Sequence, residues 1–96
     1  MPTLKELMTA LKFVSNWYLL GLNLDLRSSE LATIEWNYPG DNIRCTTEVL
    51  SHWLEKTPFP SWEAIVQALH LMEATATADT IHRRYVTSTA TTEGMV

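Results

Sequence analysis

Apolar residues recur along the chain at helical spacing in six successive runs. Leu4, Leu7, Met8, Leu11 and Val14 fall at i, i+3, i+4 and i+7 with Lys5, Glu6, Thr9 and Lys12 opposite, and Thr3 with Glu6 three positions on has the form of a capping box. This predicts a first helix over residues 3–14. In a second, over residues 16–23, Trp17, Leu20 and Leu24 share a face and Ser15 is placed to cap it. Gly21 within it either lets a neighbouring helix approach closely or bends the helix end. A short third helix starts from a Ser28 or Ser29 cap, turns Leu31 and Ile34 inward and Glu30 and Glu35 outward, and stops at Asn37-Tyr38-Pro39-Gly40.

Asp41 is the expected N-cap of the longest helix, residues 42–56, where Cys45, Val49, Leu50, Trp53 and Leu54 recur up to the breaker Pro58-Phe59-Pro60. Ser61 caps a fifth, residues 62–72, with the stripe Trp62, Ile65, Val66, Leu69 and Met72. The stretch from Ala74 to Ala78 reads as a loose connection. A narrower sixth stripe follows in Ala78, Ile81, Tyr85 and Val86, with Asp79 near its start and Arg83-Arg84 near its end, as the helix dipole favours. Residues 87–96 lose all periodicity and read as a flexible tail. Short loops, no strand and an apolar stripe on every helix predict one all-α domain, residues 1–86, built as a compact antiparallel bundle. Its expected core is Trp17, Leu20, Ile34, Leu50, Trp53, Leu54, Trp62, Leu69 and Ile81.

Composition narrows the function classes. The 96 residues suffice for one small core, and 46% are hydrophobic. One cysteine cannot form an internal disulfide, no Asn-x-Ser/Thr acceptor occurs, and no signal-peptide order or membrane-length apolar run is present. A reducing, cytoplasmic setting is expected, without membrane insertion. Seven Lys/Arg against 11 Asp/Glu give a net charge of -4, the wrong sign for binding through phosphate neutralisation, so nucleic acid is not an expected partner.

Catalytic chemistry finds little support. Cys45 and His52 lie on one side of the fourth helix but two turns apart, about 10 Å along the axis, too far for a nucleophile and its base to share a hydrogen bond. His70 with Glu73 and Asp79 with His82 are i, i+3 pairs of the kind that solvated helices carry. A phosphate-binding glycine loop, CxxC, HExxH and GxSxG are all missing, so neither an enzyme, a cofactor, a metal nor a small-molecule substrate is expected. Trp17, Trp53 and Trp62 sit on apolar stripes of three different helices and read as packing residues rather than a ligand cage. Trp36, at the end of a short helix, is either a rim residue covering the core or part of a contact surface.

The spacing Trp17-x-x-Leu20-Gly21-x-x-Leu24-x-Leu26, then Leu31-x-x-Ile34-Glu35, resembles the second and third helices of the death domain family. Arg44 with Val49-Leu50-x-x-Trp53-Leu54 is similar to its fourth helix, Ser61-Trp62-x-x-Ile65-x-x-Ala68-Leu69 to its fifth, and Ala78-x-x-Ile81-x-x-x-Tyr85 to its sixth. The resemblance spans residues 3–86. Asp25 departs from it, standing where the family often has Gly. A six-helix Greek-key death fold is implied, and with it a non-catalytic adaptor or receptor module that binds other death domains through three asymmetric pairs of patches in apoptotic or innate-immune signalling. By this analogy Lys5, Lys12 and parts of the fourth helix would face the second and third helices of another copy. The end of the fourth helix and Phe59 would face the start of a sixth, and the third helix would face neighbouring loops.

Charge placement points the same way without the analogy. Asp25, Glu30, Glu35 and Asp41 gather negative charge around the third helix, while His82, Arg83 and Arg84 gather positive charge on the sixth. Two copies pairing these patches would join head to tail, a contact that does not close and so gives oligomers or filaments. A different all-helical peptide- or lipid-binding module is the alternative.

Overall fold

Thr3 and Glu6 close the predicted capping box. The Glu6 N–H donates to the Thr3 hydroxyl at 3.2 Å and the Thr3 N–H donates to the Glu6 carboxylate at 3.1 Å. A computed structural model describes residues 2–87, and within them the chain forms six α-helices, a π-helical turn and no strand. The expected tail lies outside the described residues from residue 88 onward. The helices are α1 (Leu4–Ala10), α2 (Trp17–Asn23), α3 (Ser28–Asn37), α4 (Asn42–Lys56), α5 (Trp62–Leu71) and α6 (Thr75–Ile81), with the π-helical turn over His82–Thr87.

Several boundaries depart from the sequence expectation, among them the end of the sixth helix, which stops at Ile81 and leaves Arg83, Arg84, Tyr85 and Val86 on the π-helical turn. α1 ends at Ala10 rather than residue 14, because the chain passes into a tight turn in which the Val14 N–H donates to the Leu11 carbonyl at 2.9 Å. Leu11 is fully buried and Val14 packs against the core, so the turn keeps the stripe without the helix. Asn16, not Ser15, caps α2, its side-chain oxygen accepting from the Leu19 N–H at 3.1 Å. Neither Ser28 nor Ser29 caps α3. Ser28 is already its first residue, and the Glu30 carboxylate reaches back to accept from the Arg27 N–H at 3.1 Å. The stretch from Ala74 to Ala78 is no loose connection, since α6 begins at Thr75. Its threonines are modest helix formers, but burial of Ala78 and Ile81 against α5 overrides propensity. The predicted caps of α4 and α5 form as expected, with Asp41 accepting from the Arg44 N–H at 3.0 Å and Ser61 from the Ala64 N–H at 3.2 Å.

α2 and α5 end in the same way. After α2, the Leu26 N–H donates to the Gly21 carbonyl and the Asp25 N–H to the Leu22 carbonyl, with Asp25 in the left-handed region at φ 66°. After α5, Ala74 bonds to Leu69 and Glu73 to His70, with Glu73 at φ 64°. These are Schellman turns with a side chain where glycine is favoured. The position at which Asp25 departs from the death-domain pattern is thus one that prefers glycine. Asp25→Gly and Glu73→Gly should each stabilise the fold by about 0.5–1 kcal/mol, read as a higher urea midpoint at unchanged slope. A lowered midpoint in both would contradict the left-handed geometry.

The core is contiguous. Leu7, Leu20, Leu31, Leu50, Ile65, Leu69 and Ile81 are all fully buried or nearly so, with Trp17, Ile34 and Trp53 closing it. α2 packs on α3, α4 and α5, α4 packs on α1 and α3, and α6 packs on α5. Gly21 makes the α2–α3 contact close: a Cβ placed there would stand 2.5 Å from Leu31 Cδ2. Two expected core residues sit at the rim instead. Leu54 is half-buried, as is Trp62, which opens α5 at the edge of the stripe and stacks its indole on Tyr85 of the π-helical turn at 3.8 Å and 10°.

Candidate interaction surface

The acidic residues expected to form one patch around α3 divide between its two ends, which 10 residues of helix separate by about 15 Å. At the first end Glu30 is engaged within the fold. Its carboxylate binds the Arg27 N–H and lies 3.6 Å from Lys56 Nζ and 3.9 Å from His52 Nδ1 of α4, so the backbone bond, aided by the two side chains, holds it below the usual carboxylate range. Lys56 also donates to the Asp25 carbonyl at 2.9 Å, tying the end of α4 to the turn after α2. Asp25 itself is exposed.

At the other end the charge is less compensated. Glu35 is exposed on α3, Asp41 caps α4, and together with Glu48 they act on the Cys45 thiol. Arg44 answers them singly, its guanidinium lying 4.8 Å from the Tyr38 ring centroid and donating to the Tyr38 hydroxyl at 3.4 Å. Trp36, which follows Glu35 in the chain, stands 85% exposed, which makes it a surface residue and not a cover for the core.

The basic residues occupy the opposite side of the sequence and a different part of the bundle. His82, Arg83 and Arg84 are exposed on the π-helical turn, and Lys5 and Lys12 are exposed on and just after α1. Lys12 and Arg84 both line one groove of about 310 Å³ between the end of α1 and α6, so the fold unites two cations that 71 positions separate. Phe59, in the loop before α5, is 87% exposed.

Four large exposed apolar residues lay outside the sequence expectation, namely Phe13, Leu22, Ile43 and Leu71. The signal was available, since each falls off the apolar stripe of its segment. Phe13 and Ile43 flank a second surface depression of about 350 Å³ between α1 and α4.

Cys45 and His52 do not converge. Cys45 is buried, its Sγ donating to the Tyr38 carbonyl at 3.3 Å, and burial raises its pKa, with the nearby carboxylates of Asp41, Glu35 and Glu48 adding to the shift. His52 is half-exposed and turned toward Glu30. His70, Glu73, Asp79 and His82 all lie on the surface. Among the described residues no group of three His, Cys, Asp or Glu side chains could hold a metal ion, and no helix is long and apolar enough to cross a membrane. What the residues do present is an acidic corner, an exposed tryptophan and, elsewhere, a groove edged by cations. No family model, curated protein or solved structure matches the chain.

Proposed function

We propose that this chain is a non-catalytic interaction module of the death-domain kind, with that family's six-helix Greek-key arrangement, which associates with copies of itself or with other death domains to assemble apoptotic or innate-immune signalling complexes in the cytoplasm. The observation that carries the proposal is the presence on one chain of two unlike, complementary surfaces. Glu35 and Asp41 edge one, Lys12 and Arg84 edge the other, and Arg83 is exposed on the same π-helical turn as Arg84. Complementary patches of this kind steer encounter and fix register. Because the two surfaces differ, each copy keeps one of each to offer, and assembly proceeds head to tail into open oligomers or filaments. The buried Cys45 thiol, held in its neutral form, gives the module no activated nucleophile at that position. Neither cofactor, metal, small-molecule substrate nor nucleic acid has a part in this reading. A peptide- or lipid-binding bundle is the second reading, favoured only by the α1–α6 groove.

The test is charge reversal. Arg83→Glu with Arg84→Glu should weaken association while circular dichroism stays native, because exposed charges shift stability by only about 0.5 kcal/mol or less. Raising the salt should mimic the variant in the parent chain, since screening sets in beyond ~8–10 Å. Glu35→Lys in a separate chain should restore part of the binding to the Arg83/Arg84 variant. Glu30 is the wrong partner for this rescue, because reversing it also removes the cap of α3. Association unchanged by the reversal in both sizing and pull-down experiments would reject the pairing.

A further inference from the structure

We infer that Trp36 is the anchor of the head-to-tail contact and that it inserts into the α1–α6 groove of a second copy of this chain. The inference rests on the self-association proposed above and adds which side chain enters which site. An indole 85% exposed at the last turn of α3 is an unusual expense for a stable fold. It contributes nothing to the stripe of Leu31 and Ile34 that holds α3 to the core. Tryptophan is the side chain most enriched among residues that dominate binding energy, and such anchors fill pockets on the partner.

The groove has the size and chemistry to receive it. It opens because α1 stops at Ala10 and the chain turns away, leaving Ala10, Lys12 and Phe13 facing Ala76, Thr80 and Arg84. Small residues on both sides set its width, and its volume of about 310 Å³ suits one large side chain rather than an extended ligand. Phe13, 83% exposed, supplies an aromatic wall against which an indole can pack edge-to-face or stack.

Charge selects the occupant. Among the described residues, those lining the groove include two cations and no carboxylate. Trp36 arrives flanked by the exposed carboxylate of Glu35, its neighbour in the chain. Seating the indole brings Glu35 to the rim that carries Lys12, so apolar insertion and charge pairing reinforce one another. Within one copy α3 packs on α2 and α4 while the groove lies between α1 and α6, so tryptophan and groove are joined between copies.

A head-to-tail contact of this kind has a distinctive test by mixing. Trp36→Ala removes the anchor, and Thr80→Arg fills the groove from an exposed helical position, with Lys12→Glu as a second block that leaves α6 untouched. Each variant, checked for native circular dichroism, should by itself lose at least about tenfold in self-association by sedimentation velocity of the full chain. An equimolar mixture of Trp36→Ala with either groove variant should form a one-to-one heterodimer that grows no further, since it unites the one intact tryptophan with the one intact groove. Oligomers of the parent that persist in the single variants would overturn the Trp36 assignment and leave self-association standing through another surface. Oligomers that survive Trp36→Ala but are lost to Thr80→Arg would place a different occupant in the groove, and would equally overturn it. A parent chain that is monomeric throughout would reject the self-association reading itself.

Discussion

Replacing Trp53 by alanine should leave the chain largely unfolded in the absence of denaturant. Trp53 lies on the buried stripe of α4, the helix that packs on α1, α2 and α3, and only 3% of it meets solvent. Truncating such a residue costs ~3–5 kcal/mol, because the surrounding side chains cannot close the void, and a domain of this size has ~5–15 kcal/mol in all. Trp62 has the same sequence signature and a different fate. At the rim of α5 it keeps solvent contact and its main partner is the Tyr85 ring, so Trp62→Ala should cost about 1–2 kcal/mol and leave a folded chain with a lower urea midpoint. Equal losses for the two variants would contradict this division of core from rim.

The second large effect concerns the α2–α3 contact. Leu31 is fully buried, and Leu31→Ala should cost ~2–5 kcal/mol. Gly21→Ala should cost ~1–3 kcal/mol in the parent chain, because the new methyl would stand 2.5 Å from Leu31 Cδ2 and the fully buried leucine must shift within the core to make room. In the Leu31→Ala background that obstruction is gone. What remains of Gly21→Ala is the propensity of alanine over glycine inside a helix, about 1 kcal/mol in favour, together with partial filling of the void. Gly21→Ala is therefore expected to change sign, from destabilising in the parent to stabilising beside Ala at position 31. A double-mutant cycle of urea melts reads this directly. Additive effects would show that the two helices are not held at the distance described.

Periodicity made most of the fold legible. Five of the six helices lie where an apolar stripe predicts them, the sixth shares only residues 78–81 with its stripe, and the caps supplied by Thr3 and Ser61 were readable because a short polar side chain stands alone before each run. Legibility failed where two candidates compete or where tertiary packing decides. Ser15 and Asn16 are both good caps, and only the backbone geometry selects Asn16. At α3 the cap came from Glu30 inside the helix, a role hidden behind the expectation of an outward carboxylate. α6 begins in a threonine-rich stretch with weak local preference and is held by what it covers on α5. For the interaction surface, the sequence shows which residues carry charge but not which of them are engaged within the fold. The Glu30 carboxylate is drawn to Lys56, while Glu35 and Asp41 lie on the side of Cys45. The groove joining Lys12 to Arg84 depends on where α1 stops, which the unbroken stripe through Val14 concealed.

Sedimentation velocity of the 96-residue chain reads out whether the domain associates through unlike charged surfaces, as proposed. From about 1 to 100 μM at low salt, the range in which module contacts of micromolar affinity saturate, the weight-average sedimentation coefficient should rise steadily with no plateau at the dimer. About 0.5 M salt should return it toward the monomer value. A single monomeric boundary at every concentration and salt, with no binding to any death domain at micromolar concentration, would contradict the claim.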